Sequence, residues 1–334
     1  SRKDLVSTGP FYVYGANGII GRHDAFNHED PQILISCRGT CGRVLRSEPR
    51  SWINGNAMVV RSIEERLSFD YLELVLRHCV DLESAINGVA QPQITRSSLE
   101  PLELPLPPLE EQRRIADTLD TADDIRRRHL QARDEAKALL AALSAREFTR
   151  LEEDASVPMV RLGDVATDRT GGQVKIKKGD YLMHGKVPVI DQGASAVAGY
   201  VEDPQACAEV GLPAVLFGDH TRRFKYVDSP FALGADGVKL LEPKQGWDAR
   251  FLYYAFVRSP LPDLGYSRHF KALKELEFTA PPLDEQRRIA DMLDAADSLA
   301  RRHQAAADDA AALLASLSHD IFTRLEQEAS RESA

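Results

Sequence analysis

The chain has 334 residues, 43% of them hydrophobic and 28% charged, with a net charge of −9; this suits two or three globular domains and contains no apolar run near the roughly 20 residues of a membrane-spanning helix. Cys37, Cys41, Cys79 and Cys207 are too few and scattered for a secreted disulfide framework, and Ser1-Arg2-Lys3-Asp4 opens no signal-peptide pattern, so the expectation is a cytoplasmic protein with reduced thiols. The acidity is uneven, since residues 1–100 carry 11 basic against 12 acidic residues and 158–280 carry 16 against 15, whereas 101–157 carry 9 against 13 and 281–334 carry 6 against 11. A negative total therefore does not exclude a polyanionic partner for the two near-neutral segments.

In chain order, the first segment reads as short β-elements cut by glycine, beginning with Phe11-Tyr12-Val13-Tyr14-Gly15-Ala16-Asn17-Gly18-Ile19-Ile20-Gly21. Ile33-Leu34-Ile35-Ser36 is a buried-strand run that delivers the chain into the turn Cys37-Arg38-Gly39-Thr40-Cys41-Gly42-Arg43. Phe69 to Leu76 has helical spacing and is expected to pack on that sheet, and Gln91-Pro92-Gln93-Ile94-Thr95-Arg96 is an extended polar passage. From Leu109 to about Leu151 the apolar and small residues come in steps of three and four: Ile115, Leu119, Ala122, Ile125, His129, Ala132, Ala136, Leu139 and Leu143. No Pro or Gly interrupts this run, which predicts one long helix with a narrow coiled-coil seam.

After Ser156-Val157-Pro158 the globular pattern restarts with Val160-Arg161-Leu162-Gly163-Asp164-Val165. Ala214-Val215-Leu216-Phe217 leads into Gly218-Asp219-His220-Thr221-Arg222-Arg223-Phe224-Lys225 as Ile33 to Ser36 led into Cys37 to Arg43, and Gly265 to Leu273 stands where Gly88 to Leu99 stood. The second helix then repeats the first. Pro107 to Leu151 aligns without gaps on Pro281 to Leu325 at an offset of 174, with 30 of 45 positions identical. Its seam is expected at Ile289, Leu293, Ala296, Leu299, His303, Ala306, Ala310, Leu313 and Leu317. The fold class is thus α+β: globular segments at 1–106 and 158–280, long helices at 107–153 and 281–328, and an internal pseudo-twofold repeat. Antiparallel pairing of the helices is expected, because it puts a globular segment at each end of the pair.

The doubled Pro-Pro-Leu-(Glu/Asp)-Glu-Gln-Arg-Arg-Ile opening, Gln91-Pro92-Gln93-Ile94-Thr95 and Phe217-Gly218-Asp219-His220-Thr221-Arg222 together closely resemble the specificity subunit of type I restriction-modification systems, over nearly the whole chain. The resemblance implies two mixed α/β target-recognition domains that each read one half of a split double-stranded DNA sequence. It also implies that the two helices separate the domains and dock methyltransferase (modification) subunits, two of them, with restriction/translocase subunits joined through the complex. This chain would then be no enzyme and hold no cofactor, S-adenosylmethionine and ATP with Mg²⁺ belonging to the partners. One departure is that the lead-in Val160 to Asp168 has no counterpart in the first segment, whose copy would lie before Ser1. Either that start is lacking, leaving a strand edge unpaired, or the first domain takes its first strand differently.

Reading DNA requires donors and acceptors on protruding loops. The candidates are Arg38, Thr40, Arg43, Asn54, Gln91, Gln93, Thr95 and Arg96 in the first segment, and His220, Thr221, Arg222, Arg223, Lys225, Ser267, Arg268, His269 and Lys271 in the second. Ordinary solvated loop residues are the competing interpretation. His129 and His303 hold matching places, either as a buried polar pair that sets register or as imidazoles at the seam's edge. Cys37-x3-Cys41 lacks a second Cys/His pair at zinc-like spacing and reads as packed thiols, so no metal site is expected. Asp236 with Glu242 and Lys244 loosely matches a Mg²⁺-dependent nuclease arrangement, and a coiled-coil protein-binding adaptor or scaffold is the other rival.

Overall fold

A computed structural model describes residue 5 and residues 8–62, 65–88, 91–235, 237–265 and 267–332. It divides into two compact units, residues 1–131 with 303–334 and residues 132–302, so each unit takes half of each long helix. Unit 1 runs through β1 (Phe11–Gly15), β2 (Gly18–His23), β3 (Ile33–Ser36), β4 (Val44–Arg46), β5 (Trp52–Ile53), β6 (Ala57–Val60), α1 (Phe69–His78), β7 (Ile86–Asn87), β8 (Gln93–Ile94) and α2 (Arg96–Leu99) into α3 (Leu109–Glu153). The chain continues through β9 (Met159–Arg161), α4 (Leu162–Val165), β10 (Ala166–Asp168), β11 (Lys175–Ile176), β12 (Val187–Ile190), β13 (Gly199–Val201), β14 (Ala214–Gly218), β15 (Phe224–Val227), β16 (Ala232–Gly234), β17 (Val238–Pro243), α5 (Ala249–Arg258), α6 (Phe270–Glu275) and β18 (Glu277–Thr279) into α7 (Leu283–Glu332).

The two units share a frame. Unit 1 has sheets ordered β2-β1-β5 and β4-β3-β6; unit 2 has β13-β12-β16-β11 and β15-β14-β17-β10, with the parallel pair β1/β5 matched by β12/β16. Alternation along the central strand builds two cores on its two faces. In unit 1, Ile33 and Ile35 join Leu72 and Leu76 of α1, while Leu34 joins Tyr14 and Ile53. In unit 2, Val215 and Phe217 join Phe251, Leu252 and Phe256 of α5, while Ala214 and Leu216 join Ile190, Leu233 and Leu240.

The lead-in of unit 2 forms β9 and β10, and β11 follows it; these pair with β18, β17 and β16 and have no counterpart strands among the described residues of unit 1. Unit 1 covers the outer edge of β5 with a side chain instead. Asn27 donates through Nδ2 to Ile53 O at 2.9 Å and accepts Ile53 N on Oδ1 at 2.8 Å, so one amide makes the two bonds a neighbouring strand would make. His28 bridges Ser51 beside it, and the outer edge of β6 has no strand partner among the described residues.

The repeated helix openings are anchored alike. Gln112 is fully buried, donating through Nε2 to Arg66 O (2.8 Å) and Pro107 O (2.7 Å) and accepting Ser68 N (2.8 Å), where Ser68 caps α1. Gln286 does the same in unit 2 with Gly246 O (3.3 Å), Pro281 O (2.9 Å) and the backbone N of Asp248, the cap of α5 (2.9 Å). The motif glutamine thus ties each long helix to the packing helix of its own unit. Beside it a carboxylate pairs with two arginines in both units: Glu111 with Arg114 (2.5 Å) and Arg324 (3.4 Å), and Glu285 with Arg288 (2.8 Å) and Arg150.

Within each unit the start of one helix packs against the end of the other, which is antiparallel pairing. Ile115 and Leu119 of α3 share a core with Leu314, Phe322 and Leu325 of α7, and their repeat mates Ile289 and Leu293 of α7 share one with Phe148 and Leu151 of α3. Leu143 and Leu317 are half-buried against these cores. The expected seam is corrected at four places: Ile125, Leu139, Leu299 and Leu313 face outward, 38–54% exposed. The buried line runs through Ala122, Ala136, Ala296, Ala300, Ala307 and Ala310, with Leu314 inside where Leu313 was expected and Leu140 packed where Leu139 was. A one-residue step turns a helix by about 100°, and where alanine brings backbones close the contact line follows the small residues rather than the largest ones. His129 and His303 are half-buried with Nδ1 atoms 3.0 Å apart, one ring donating to the other.

Candidate nucleic-acid interface

In both units the central strand delivers the chain to a turn, and the polar passage before the long helix is stitched back onto that turn. In unit 1 Ile94 N donates to Cys37 O (3.0 Å), Arg38 forms a bridge with Gln93, and Cys41 Sγ donates to Pro92 O (3.2 Å). In unit 2 His269 N donates to Asp219 O (2.9 Å). Two segments far apart in sequence thereby become adjoining edges of one surface. Gly39 (φ 77°) and Gly42 (φ 83°) turn the first of these in a backbone region that side chains disfavour.

On the unit 1 surface Arg38, Thr40, Arg43, Gln91, Gln93 and Arg96 are exposed and Asn54 is half-buried in the turn between β5 and β6. Arg43 is steadied by donating to Asn17 O (3.3 Å), and Arg96 pairs with Glu100 at 3.3 Å. Thr95 has a structural task, since its Oγ1 accepts Ser98 N as the cap of α2. In unit 2 Thr221, Arg223, Ser267, Arg268 and Lys271 are exposed. His269 is corrected to a core position: fully buried, it donates from Nδ1 to Asp219 O (2.8 Å) and accepts Leu264 N on Nε2 (3.1 Å). It occupies the place of Ile94, and Asp219 accepts Phe270 N (2.7 Å) beside it. Lys225 is likewise drawn inward, with Nζ on Ser195 O (2.6 Å) and 3.9 Å from Asp191; burial lowers its pKa against the opposing pull of Asp191. Arg222, in the left-handed region (φ 58°), pairs with Asp263 (2.7 Å), while His220 and Thr221 brace on Gln192, through His220 N to Oε1 (3.2 Å) and Thr221 Oγ1 to the backbone O (2.8 Å).

Three polar residues outside the sequence-derived set, Asn17, Asn56 and Gln192, also stand on these surfaces. Asn17-Gly18 and Asn54-Gly55-Asn56 have turn composition, which hid any second task in the sequence. The nuclease arrangement is not assembled from the residues described: Glu242 is engaged by Arg169 and by Gly211 N (3.0 Å), Lys244 by Gly163 O, and Asp236 lies outside the described residues. No cluster of three or more His, Cys, Asp or Glu with metal-binding geometry occurs among the described residues. The Sγ atoms of Cys37 and Cys41 donate to separate carbonyls, Gly55 O and Pro92 O, and burial raises the Cys37 pKa. No helix among the described residues is long and apolar enough to cross a membrane.

Each surface offers long cationic side chains, joined in unit 1 by the exposed amides of Gln91 and Gln93, and such groups suit phosphates and base edges. The family model for the type I restriction modification DNA specificity domain matches residues 3–135 and again 156–306. The putative type I restriction enzyme MjaX specificity subunit of Methanocaldococcus jannaschii is 25% identical over 291 residues, covering 77% of this chain and 68% of that one. Among solved structures, the type I restriction-modification S subunit from M. genitalium superposes with a TM-score of 0.72 at 17% identity, over 96% of this chain and 91% of the other. A chain from a structure of the assembly and conformational transition of a type I R-M system gives 0.53 at 19% identity, over 96% and 92%. At these identities the two structures establish likeness of fold.

Proposed function

The chain belongs to the family of type I restriction-modification DNA specificity subunits, and from that premise we propose that it reads a split DNA target, unit 1 one half and unit 2 the other. The observation that carries this reading is the duplication itself. Strand order, buried glutamine anchors and helix cores agree between the units, while the exposed tips differ: Arg38, Arg43, Gln91 and Gln93 on one, Arg223, Arg268 and Lys271 on the other. Two copies of one frame with unlike tips suit two different half-sites. On this reading the repeated acidic helices dock two methyltransferase subunits, restriction subunits join through that complex, and the chain itself performs no chemistry. S-adenosylmethionine, ATP and Mg²⁺ are then bound by the partners.

The test is base-modification sequencing of DNA from cells that express the chain together with its modification subunit, against cells lacking the chain. Methylation at one motif made of two short blocks around a fixed gap is the expected result. A purified complex of the two proteins that binds and methylates no DNA would overturn the reading and favour an adaptor role.

A further inference from the structure

Unit 1 contains a cleft of about 740 Å³ between the tip of the β1–β2 hairpin and the β5–β6 turn, and its wall chemistry is unusual for this chain. The cleft exists because β1 pairs in parallel with β5 and Asn54 N donates to Tyr14 O (3.0 Å), which brings the two turns side by side. Asn17, Asn54 and Asn56 line it together with Leu5, Ile20, His23 and Trp52, and among the described residues no lining side chain is a Lys, Arg, Asp or Glu. Asn54 Oδ1 accepts Asn56 N (2.9 Å), which fixes the turn and leaves the amide nitrogen of Asn54 toward the hairpin, 3.3 Å from where a side chain on Gly15 would begin. Asn17 and Asn56 are exposed, and among the described residues neither side-chain amide has a hydrogen-bond partner. Asn27 in the same unit shows the contrast, both of its amide atoms being used by the backbone of Ile53.

We propose that this cleft is a base-reading site of unit 1, and that Asn17 and Asn56, positioned by Asn54, read an A·T pair in the major groove. The inference rests on the DNA-reading function above and names the residues and the base pair. A carboxamide presents one acceptor and two donors, which matches the N7 acceptor and N6 donor of adenine; guanine presents two acceptors there and is met by Arg or Lys, neither of which is among the described lining residues. Ile20, 43% exposed at the rim, and Trp52 supply the apolar surface that a thymine methyl requires. Arg43, held against the backbone of Asn17, stands beside the cleft where a phosphate contact would set the register.

The experiment uses the full chain in complex with its modification subunits, on a duplex carrying the motif found by base-modification sequencing. Binding is measured by anisotropy with each adenine of the first block replaced in turn by 7-deazaadenine, which lacks the N7 acceptor. At one position this should weaken the unaltered complex by about 5- to 100-fold. The variants Asn17→Ala and Asn56→Ala should each weaken binding to the unmodified duplex, and the one that removes the donor to N7 should become insensitive to 7-deazaadenine there, with no change for substitutions in the second block. Both side chains are exposed, so the fold is unaffected, and circular dichroism checks this. Two results would overturn the proposal while leaving the DNA-reading function intact: sequence-specific binding unchanged in both variants, or a first block without an A·T pair. Absence of any sequence preference in the unaltered complex would overturn both.

Discussion

Replacing Gln286 by Leu keeps the volume of the side chain and removes its hydrogen bonds to Pro281 O, Gly246 O and Asp248 N, so it isolates what the buried amide contributes to unit 2. A buried bond contributes about 1 kcal/mol net, and a partner left unsatisfied costs about 1–3 kcal/mol. One of the three partners here is the capping residue of α5, whose inner face carries Phe251, Leu252 and Phe256. Allowing for partial relaxation toward solvent at the longest of the bonds, 3.3 Å, the loss should be about 2–4 kcal/mol. The chain has two tryptophans, Trp52 in unit 1 and Trp247 in unit 2 next to Asp248, so in a Trp52→Phe background fluorescence reports unit 2 alone. With a slope of about 2 kcal/mol/M in urea, the midpoint should fall by roughly 1–2 M. Gln286→Glu should be at least as damaging at neutral pH, since a carboxylate has no proton for the two carbonyls and repels them. A midpoint moved by less than about 0.3 M in the leucine variant, equivalent to about 0.6 kcal/mol, would refute the anchoring role.

The helix cores separate buried from exposed leucines in the same repeat: Leu119→Ala or Leu293→Ala should cost about 2–5 kcal/mol in its unit, whereas Leu139→Ala or Leu313→Ala should stay within about 0.5 kcal/mol, and equal effects would contradict the seam described. Unit 1 should also respond to acid through His78, whose pKa lies below the ordinary 6.5 chiefly because of burial, with Arg77 and Arg126 adding to the shift and Asp123 opposing it. A depressed folded value means that the contribution is intact above pH 6.5 and declines as pH falls from 6.5 toward the folded value. In a Trp247→Phe background the urea midpoint should therefore drop over that window, and His78→Gln should flatten the slope; an unchanged slope would assign the titration elsewhere.

The repeat, the two long uninterrupted helices and the alternation of globular and helical segments are local or periodic properties, and the chain's sequence determined them without further help. It also placed Gln112 and Gln286 in matching positions, although nothing in their spacing distinguishes a buried anchor from a surface amide. Phase along the seam is a different matter. The pattern shared by Leu139 and Leu140, or Leu313 and Leu314, is compatible with either residue facing inward, and only the close approach of alanine-rich faces selected the second of each pair. The same holds at the tips: His269 and Arg268 are neighbours of similar polarity, yet backbone pairing with Asp219 turned one into the core and left the other in solvent. Asn27, Asn17 and Asn56 make the limit plainest, because an asparagine that replaces a strand and one that lines an open cleft have the same local sequence signal. Which of them spends its amide on the backbone is decided by long-range pairing such as β1 with β5, a tertiary contact between residues about 40 positions apart in the chain.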